Sequence, residues 1–141
     1  DIASRNNGNA IVGDGGPTDP CGLLALLRRR VKKVIVQCCD SLFLPASSSP
    51  GEKTWWAAYF GCVKAGALQG YAMAPGDMNS QCQVFASTAF QPLIDELVAK
   101  AKKGAPMVAD LTLDVHENTL CGVQGGWQVR LLWCFPGLFD D

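Results

Sequence analysis

Ala10-Ile11-Val12-Gly13-Asp14-Gly15-Gly16 leads through Pro17-Thr18-Asp19-Pro20 into Cys21-Gly22-Leu23-Leu24-Ala25-Leu26-Leu27-Arg28-Arg29-Arg30, and then into Val31-Lys32-Lys33-Val34-Ile35-Val36. Two short apolar runs flank a leucine-rich segment, and turn residues punctuate the first junction. The pattern predicts a strand over 10–13, a helix from Pro20 to Arg29 and a strand from Lys32 to Cys38. A strand–helix–strand order implies a parallel pair joined by a right-handed crossover. Asp14 is then expected just past a strand's C-terminal end, the edge where ligand sites of such sheets collect. Asp19-Pro20 reads as a helix start, a capping carboxylate before a proline in the first turn.

Working outward, residues 1–9 are polar and glycine-rich and read as an extended arm. Ser41 to Lys53, with Pro45, Pro50 and Gly51, reads as loop. Thr54 to Ala65 carries Trp55, Trp56, Tyr59, Phe60 and Val63 at helical spacing. That stripe predicts a core-facing helix, with a partner interface as the second reading because aromatics dominate binding hot spots. Residues 66–86 read as a long connection. Phe90, Leu93, Ile94, Leu97, Val98 and Ala101 make one continuous helical stripe over 90–103, with Thr88 and Gln91 as a capping box and Lys102-Lys103-Gly104 as its end.

Two alternating segments close the pattern. Met107, Ala109, Leu111, Leu113 and Val115 share one face, and Asp110, Thr112, Asp114 and His116 the other. Val129, Leu131, Trp133 and Phe135 line one face of the last segment, and Gly122-Val123-Gln124-Gly125-Gly126 between them predicts an antiparallel hairpin with a long loop. The expected fold is α/β: a short mixed sheet of 10–13, 32–38, 107–116 and 127–135 with three flanking helices, in one domain over 10–139.

The chain has 141 residues, 48% of them hydrophobic, enough for one core. No apolar stretch is long enough to span a bilayer, and no secretory signal is visible. The net charge of −1 hides a split: eight of twelve Lys/Arg lie in residues 1–70, and eight of thirteen Asp/Glu in 71–141. Arg28, Arg29, Arg30, Lys32 and Lys33 supply most of the positive half. They read first as cations favoured at a helix C-terminus, and second as a patch for an anionic lipid surface or an acidic partner. Basic and aromatic residues do not interleave along a face, which argues against nucleic acid. The seven cysteines (21, 38, 39, 62, 82, 121 and 134) are odd in number and lack a Cys-x-x-Cys pair, and only one histidine is present. Reduced thiols, no metal and no cofactor are the expectation, in an intracellular reducing compartment. The lone histidine, His116, reads as an exposed or hydrogen-bonded structural residue.

The segment from Val12 to Leu27, centred on Asp14-Gly15-Gly16, resembles the aspartate box of the patatin and cytosolic phospholipase A2 hydrolases. The helix and strand from Gly22 to Val36, the Phe90 helix and the Gly125-Gly126 hairpin are similar to the C-terminal part of such chains. The resemblance implies a serine–aspartate hydrolase fold in which Asp14 activates a serine, with Gly15 and Gly16 supporting the turn. Neither a Gly-x-Ser-x-Gly elbow nor a glycine-rich oxyanion segment is present, so the chain alone is expected to catalyse no ester hydrolysis.

The small size and missing serine suggest a fragment, a processed chain or a reduced relative, in one version a plastid or mitochondrial subunit after removal of a transit peptide. The functional expectation is a non-catalytic accessory or structural subunit of a larger protein assembly. Trp55, Trp56, Tyr59, Phe60, Phe135 and Phe139 are expected at the contact, with a possible peripheral contact of the basic cluster with a membrane surface. The alternative is the aspartate-bearing part of a lipid acyl hydrolase whose serine lies outside the chain.

Overall fold

The computed structural model describes Asp19 and residues 21–38, 55–63 and 75–135, with the backbone alone for Trp55 and residues 75–78. In chain order these form α1 (Leu23–Arg28), β1 (Lys33–Gln37), a 3-10 helix (Trp55–Phe60), α2 (Pro75–Cys82), a 3-10 turn (Ser87–Ala89), α3 (Phe90–Lys102), β2 (Val108–Val115) and β3 (Trp127–Cys134). The three strands make one mixed sheet in the order β1-β3-β2. β3 runs antiparallel to β2, Val115 opposite Trp127 and Val108 opposite Cys134, and parallel to β1, Lys33 beside Arg130 and Gln37 beside Cys134. The expected strand at 10–13, the arm at 1–9 and the loop at 41–53 lie outside the described residues.

The alternation in the hairpin sets the layering. Val34 and Val36 of β1, Ala109 and Val115 of β2, and Val129, Leu131 and Trp133 of β3 are buried on one face. The opposite face carries Lys33, Asp110, Thr112, Asp114, Gln128 and Arg130, all exposed. Arg130 grips Asp110 across the strands with a fork of two hydrogen bonds, Nε to Oδ1 at 2.8 Å and Nη2 to Oδ2 at 2.5 Å. α3 lays Phe90, Leu93, Ile94 and Leu97 into the core, as its stripe predicts.

The aromatic segment folds differently from its spacing. It is a six-residue 3-10 helix rather than an α-helix over 54–65, and Gly61, at φ +67°, ends it. A Cβ at Gly61 would lie 2.5 Å from the Gln83 side chain. The Tyr59 carbonyl then accepts the amides of both Val84 and Phe85 at 2.9 Å. That tight arrangement places Trp56, Tyr59 and Phe60 in the centre of the molecule, where Trp56 stacks at tilted angles on Trp133, Phe90 and Phe135 with centroids 5.2–5.3 Å apart.

Two other expectations are corrected. The connection expected over 66–86 contains α2, whose polar composition gives no apolar period and whose visible signal is Pro75 in its first turn. The Thr88–Gln91 capping box does not form: the chain enters α3 through the 3-10 turn, and Gln91 instead donates to Asp95 at 2.8 Å.

Both α1 and α3 end in the same hydrogen-bond pattern. Gly104 (φ +63°) donates to Ala101 and Ala105 to Lys100; Arg30 (φ +55°) donates to Leu27 and Val31 to Leu26. The left-handed position is a glycine in α3 and an arginine in α1.

Candidate functional site: the Asp19 cleft

Asp19 gathers the N-terminus of α1. Its Oδ1 accepts the Leu24 amide at 3.1 Å and its Oδ2 the Ala25 amide at 3.3 Å. The capping role expected of Asp19 is therefore observed, although the helix starts at Leu23 rather than Pro20. Gly22, in the left-handed region at φ +67°, occupies the N-cap position without a side chain to cap, so the carboxylate reaches in from three residues earlier.

The same Oδ1 accepts the Tyr59 hydroxyl at 2.6 Å, and the Tyr59 oxygen in turn accepts the Cys21 amide at 3.2 Å. Tyr59 is wholly buried. Burial first, then the Asp19 charge and the hydrogen bond to it, push its phenol far above the ordinary tyrosine value, so it stays a neutral donor. Sequence periodicity counted Tyr59 as one more apolar position. A buried tyrosine with an aspartate upstream was the available signal.

Asp19 also lines a cleft of about 740 Å³, walled by Leu24 and Arg28 of α1, Gln81 and Cys82 of α2, and Thr119 to Gly122 of the hairpin loop. Gly122, at φ +72°, leaves room for Arg28, whose Nε would lie 3.3 Å from a Cβ there. Asn118 ties the loop to α2: its Nδ2 donates to the carbonyls of Ser80, Gln81 and Gln83 (2.9–3.3 Å), and its Oδ1 accepts from Leu120 and Cys121. Asn79, in the middle of α2, ties it to the 3-10 helix segment by pairing with both backbone groups of Val63 at 3.0 Å. Neither asparagine stood out in the sequence, because Asn79 grips Val63 from sixteen positions away and Asn118 reaches Ser80, Gln81 and Gln83 from at least thirty-five.

The cleft thiols are held protonated. Burial, then the neighbouring Cys121 and Asp19 charges, push Cys82 up to about 11. Burial also raises Cys121, against backbone donors and Arg28 that pull the other way. A thiol must be lowered, not raised, to serve as a nucleophile near neutral pH. His116 sits exposed beside a second, open depression of about 600 Å³, with its amide bonded to the Val84 carbonyl at 2.8 Å. Among the described residues no group of three His, Cys, Asp or Glu side chains is placed to hold a metal ion.

The sequence-derived sites fare unequally. Asp14, Gly15, Gly16 and Phe139 lie outside the described residues, as does the Trp55 side chain. Trp56, Tyr59, Phe60 and Phe135, expected at a partner contact, are core residues. The physical reason is that the 3-10 helix turns its aromatics against Phe90 and Trp133, and this packing is what their hydrophobicity serves. Arg28, Arg29, Arg30, Lys32 and Lys33 are all exposed. Arg30 donates to Gln124 at 2.7 Å, and the Lys32 ammonium lies 4.5 Å from the centroid of the Trp127 ring, so the cluster runs along the hairpin loop. Among the described residues no helix is long and apolar enough to cross a membrane.

What the described residues establish is a small mixed α/β fold; it lends no support to a patatin-like origin. Compared with known protein families, with curated proteins and with solved structures, the chain gives no significant match.

Proposed function

We propose that the chain is a non-catalytic accessory unit that docks into a larger protein assembly through the exposed face of β1. The observation that carries this reading is Ile35, 73% exposed on β1 between Lys33 and Gln37, both also exposed. An apolar side chain presented beside Lys33, on a strand that follows the exposed Arg28–Arg30 in sequence, suits a partner surface that is acidic around an apolar contact. The cleft fits the non-catalytic half of the proposal. Its carboxylate is engaged by two backbone amides and a phenol, and its thiols are deactivated.

The test is elution of the tagged chain in an extract of its native cells, beside a Lys33→Glu/Ile35→Asp form. Elution with an assembly much larger than the chain, lost in the double variant, is expected. Monomer elution of both forms would remove the proposal. The purified chain should also leave a short acyl ester and a phospholipid unhydrolysed.

A further inference from the structure

Cys21 and Cys38 belong to different elements, one just before α1 and the other just after β1, yet their sulfurs stand 3.5 Å apart in an S–H···S contact. Both backbones are fixed where they are. The Cys21 amide is bonded to the Tyr59 hydroxyl at 3.2 Å, and the Cys38 amide to the Cys134 carbonyl at 2.9 Å. The approach is therefore made by the fold, through the Asp19–Tyr59 contact on one side and the β1–β3 pairing on the other. A disulfide needs the sulfurs at roughly 2.05 Å, so about 1.5 Å of side-chain movement closes it. The two sulfurs differ in access: Cys21 is half-buried, and Cys38 is 2% exposed.

We infer that Cys21 and Cys38 form a peroxide-oxidisable dithiol, with Cys21 as the sulfur attacked from solvent and Cys38 as the resolving thiol. The Cys21 thiolate attacks one oxygen of a hydroperoxide. An S–O bond forms, the O–O bond breaks, and the departing oxygen takes a proton to leave as water or an alcohol. The Cys38 sulfur then attacks the Cys21 sulfenic acid; the S–S bond forms, the S–O bond breaks and a water leaves. Two thiols lose two electrons and two protons, and the peroxide gains both. The product links the entry of α1 to the exit of β1 across seventeen positions of the chain, clamping the turn that carries Asp19 into the cleft. In a reducing compartment the pair rests as thiols, so the link would record an oxidising episode and be reversed by a dithiol reductant.

Folded protein treated with hydrogen peroxide, alkylated and digested without reductant tests this. The expected result is a Cys21–Cys38 linked peptide and an intact mass lower by about 2 Da, reversed by dithiothreitol. A Cys38→Ser form should accumulate a sulfenic acid at Cys21 that dimedone traps, and Cys21→Ser should yield no link. The wild-type peptide map decides the matter even if a variant folds poorly. Peroxide-treated wild type with no link, or with Cys38 joined to Cys39 or Cys82 joined to Cys121 instead, would overturn the inference.

Discussion

Two parts of the molecule are held in different ways. In the α3–β2–β3 part, order comes from repetition: a helical stripe of Phe90, Leu93, Ile94 and Leu97 packs on the alternate residues of a hairpin. In the part containing α1, the 3-10 helix and α2, order comes from single polar side chains. Asp19 caps α1 and holds Tyr59, Asn79 clasps Val63, and Asn118 serves three carbonyls and two amides. The first kind degrades gradually, because each apolar residue shares its burial with many neighbours. The second fails abruptly, because loss of one side chain takes a partner from several backbone groups at once, some of them half-buried.

The largest effect should fall in the repetitive part. Trp133→Ala should lower the unfolding free energy by about 3–5 kcal/mol in urea titration, while Trp133→Phe should cost far less. The Trp133 indole N–H has no hydrogen-bond partner among the described residues, so phenylalanine deletes no such bond. If the two substitutions cost the same, the ring's burial is not what matters there. Next comes Asn118→Ala, expected to cost about 2 kcal/mol and to raise amide exchange at Leu120 and Cys121 before it does so in α3. A uniform rise across both parts would erase the distinction between them.

Tyr59→Phe should cost about 1–2 kcal/mol by freeing Asp19 Oδ1 and the Cys21 amide of one partner. It should also change the alkaline limb of stability. Tyr59 is raised in the folded state, so its contribution is full below about pH 10 and drains away above it as the unfolded chain ionises first. Cys82 acts with the same sign over a lower window, full below about pH 9 and lost by about 11. Denaturation midpoints measured from pH 8 to 11 should therefore fall with pH. The decline should be shallower in Tyr59→Phe, and an equal slope would put the alkaline sensitivity elsewhere.

The smallest effects separate the two helix ends. Gly104→Ala should cost about 1 kcal/mol, because alanine must adopt a left-handed φ in open space. Arg30→Gly should gain roughly 0.5 kcal/mol, the relief of left-handed strain less the added entropy of an unfolded glycine. A loss at Arg30 would mean that its bond to Gln124 outweighs the strain. At the outer face, Asp110→Asn should leave the melting temperature unchanged, since the Arg130 guanidinium that holds this carboxyl below the usual range does so in full solvent.

The same division explains what was legible in advance. Periods of 2 and 3.6 are local statistics, so the hairpin, its faces, β1 and α3 could be read within a few residues of their ends. The Asp19 cap was legible because Asp-Pro carries its own chemistry. The missed elements depend on distant partners. The 3-10 helix is tightened by Val84 and Phe85 at the Tyr59 carbonyl, and α2 is secured by Asn118 and by Asn79's grip on Val63, none of which leaves a local trace. The aromatics were read as a helical stripe, whereas residues 56–60 are all buried in the 3-10 helix; how such a segment is packed is decided by tertiary contacts. The cleft was hidden for the same reason: its walls come from three segments that only the fold brings together.

The strand order has a consequence for how the chain is made. β3 lies in the middle of the sheet but is the last of the described strands in sequence, and Lys33 meets Arg130 from 97 positions away. A ribosome delivers both outer strands before the one that joins them. Until Trp127–Cys134 emerges, β1 has no hydrogen-bond ladder from β3 and Trp56 no Trp133 to lie against. The chain thus passes through synthesis with its aromatic centre uncovered, the condition in which nascent chains depend most on chaperones.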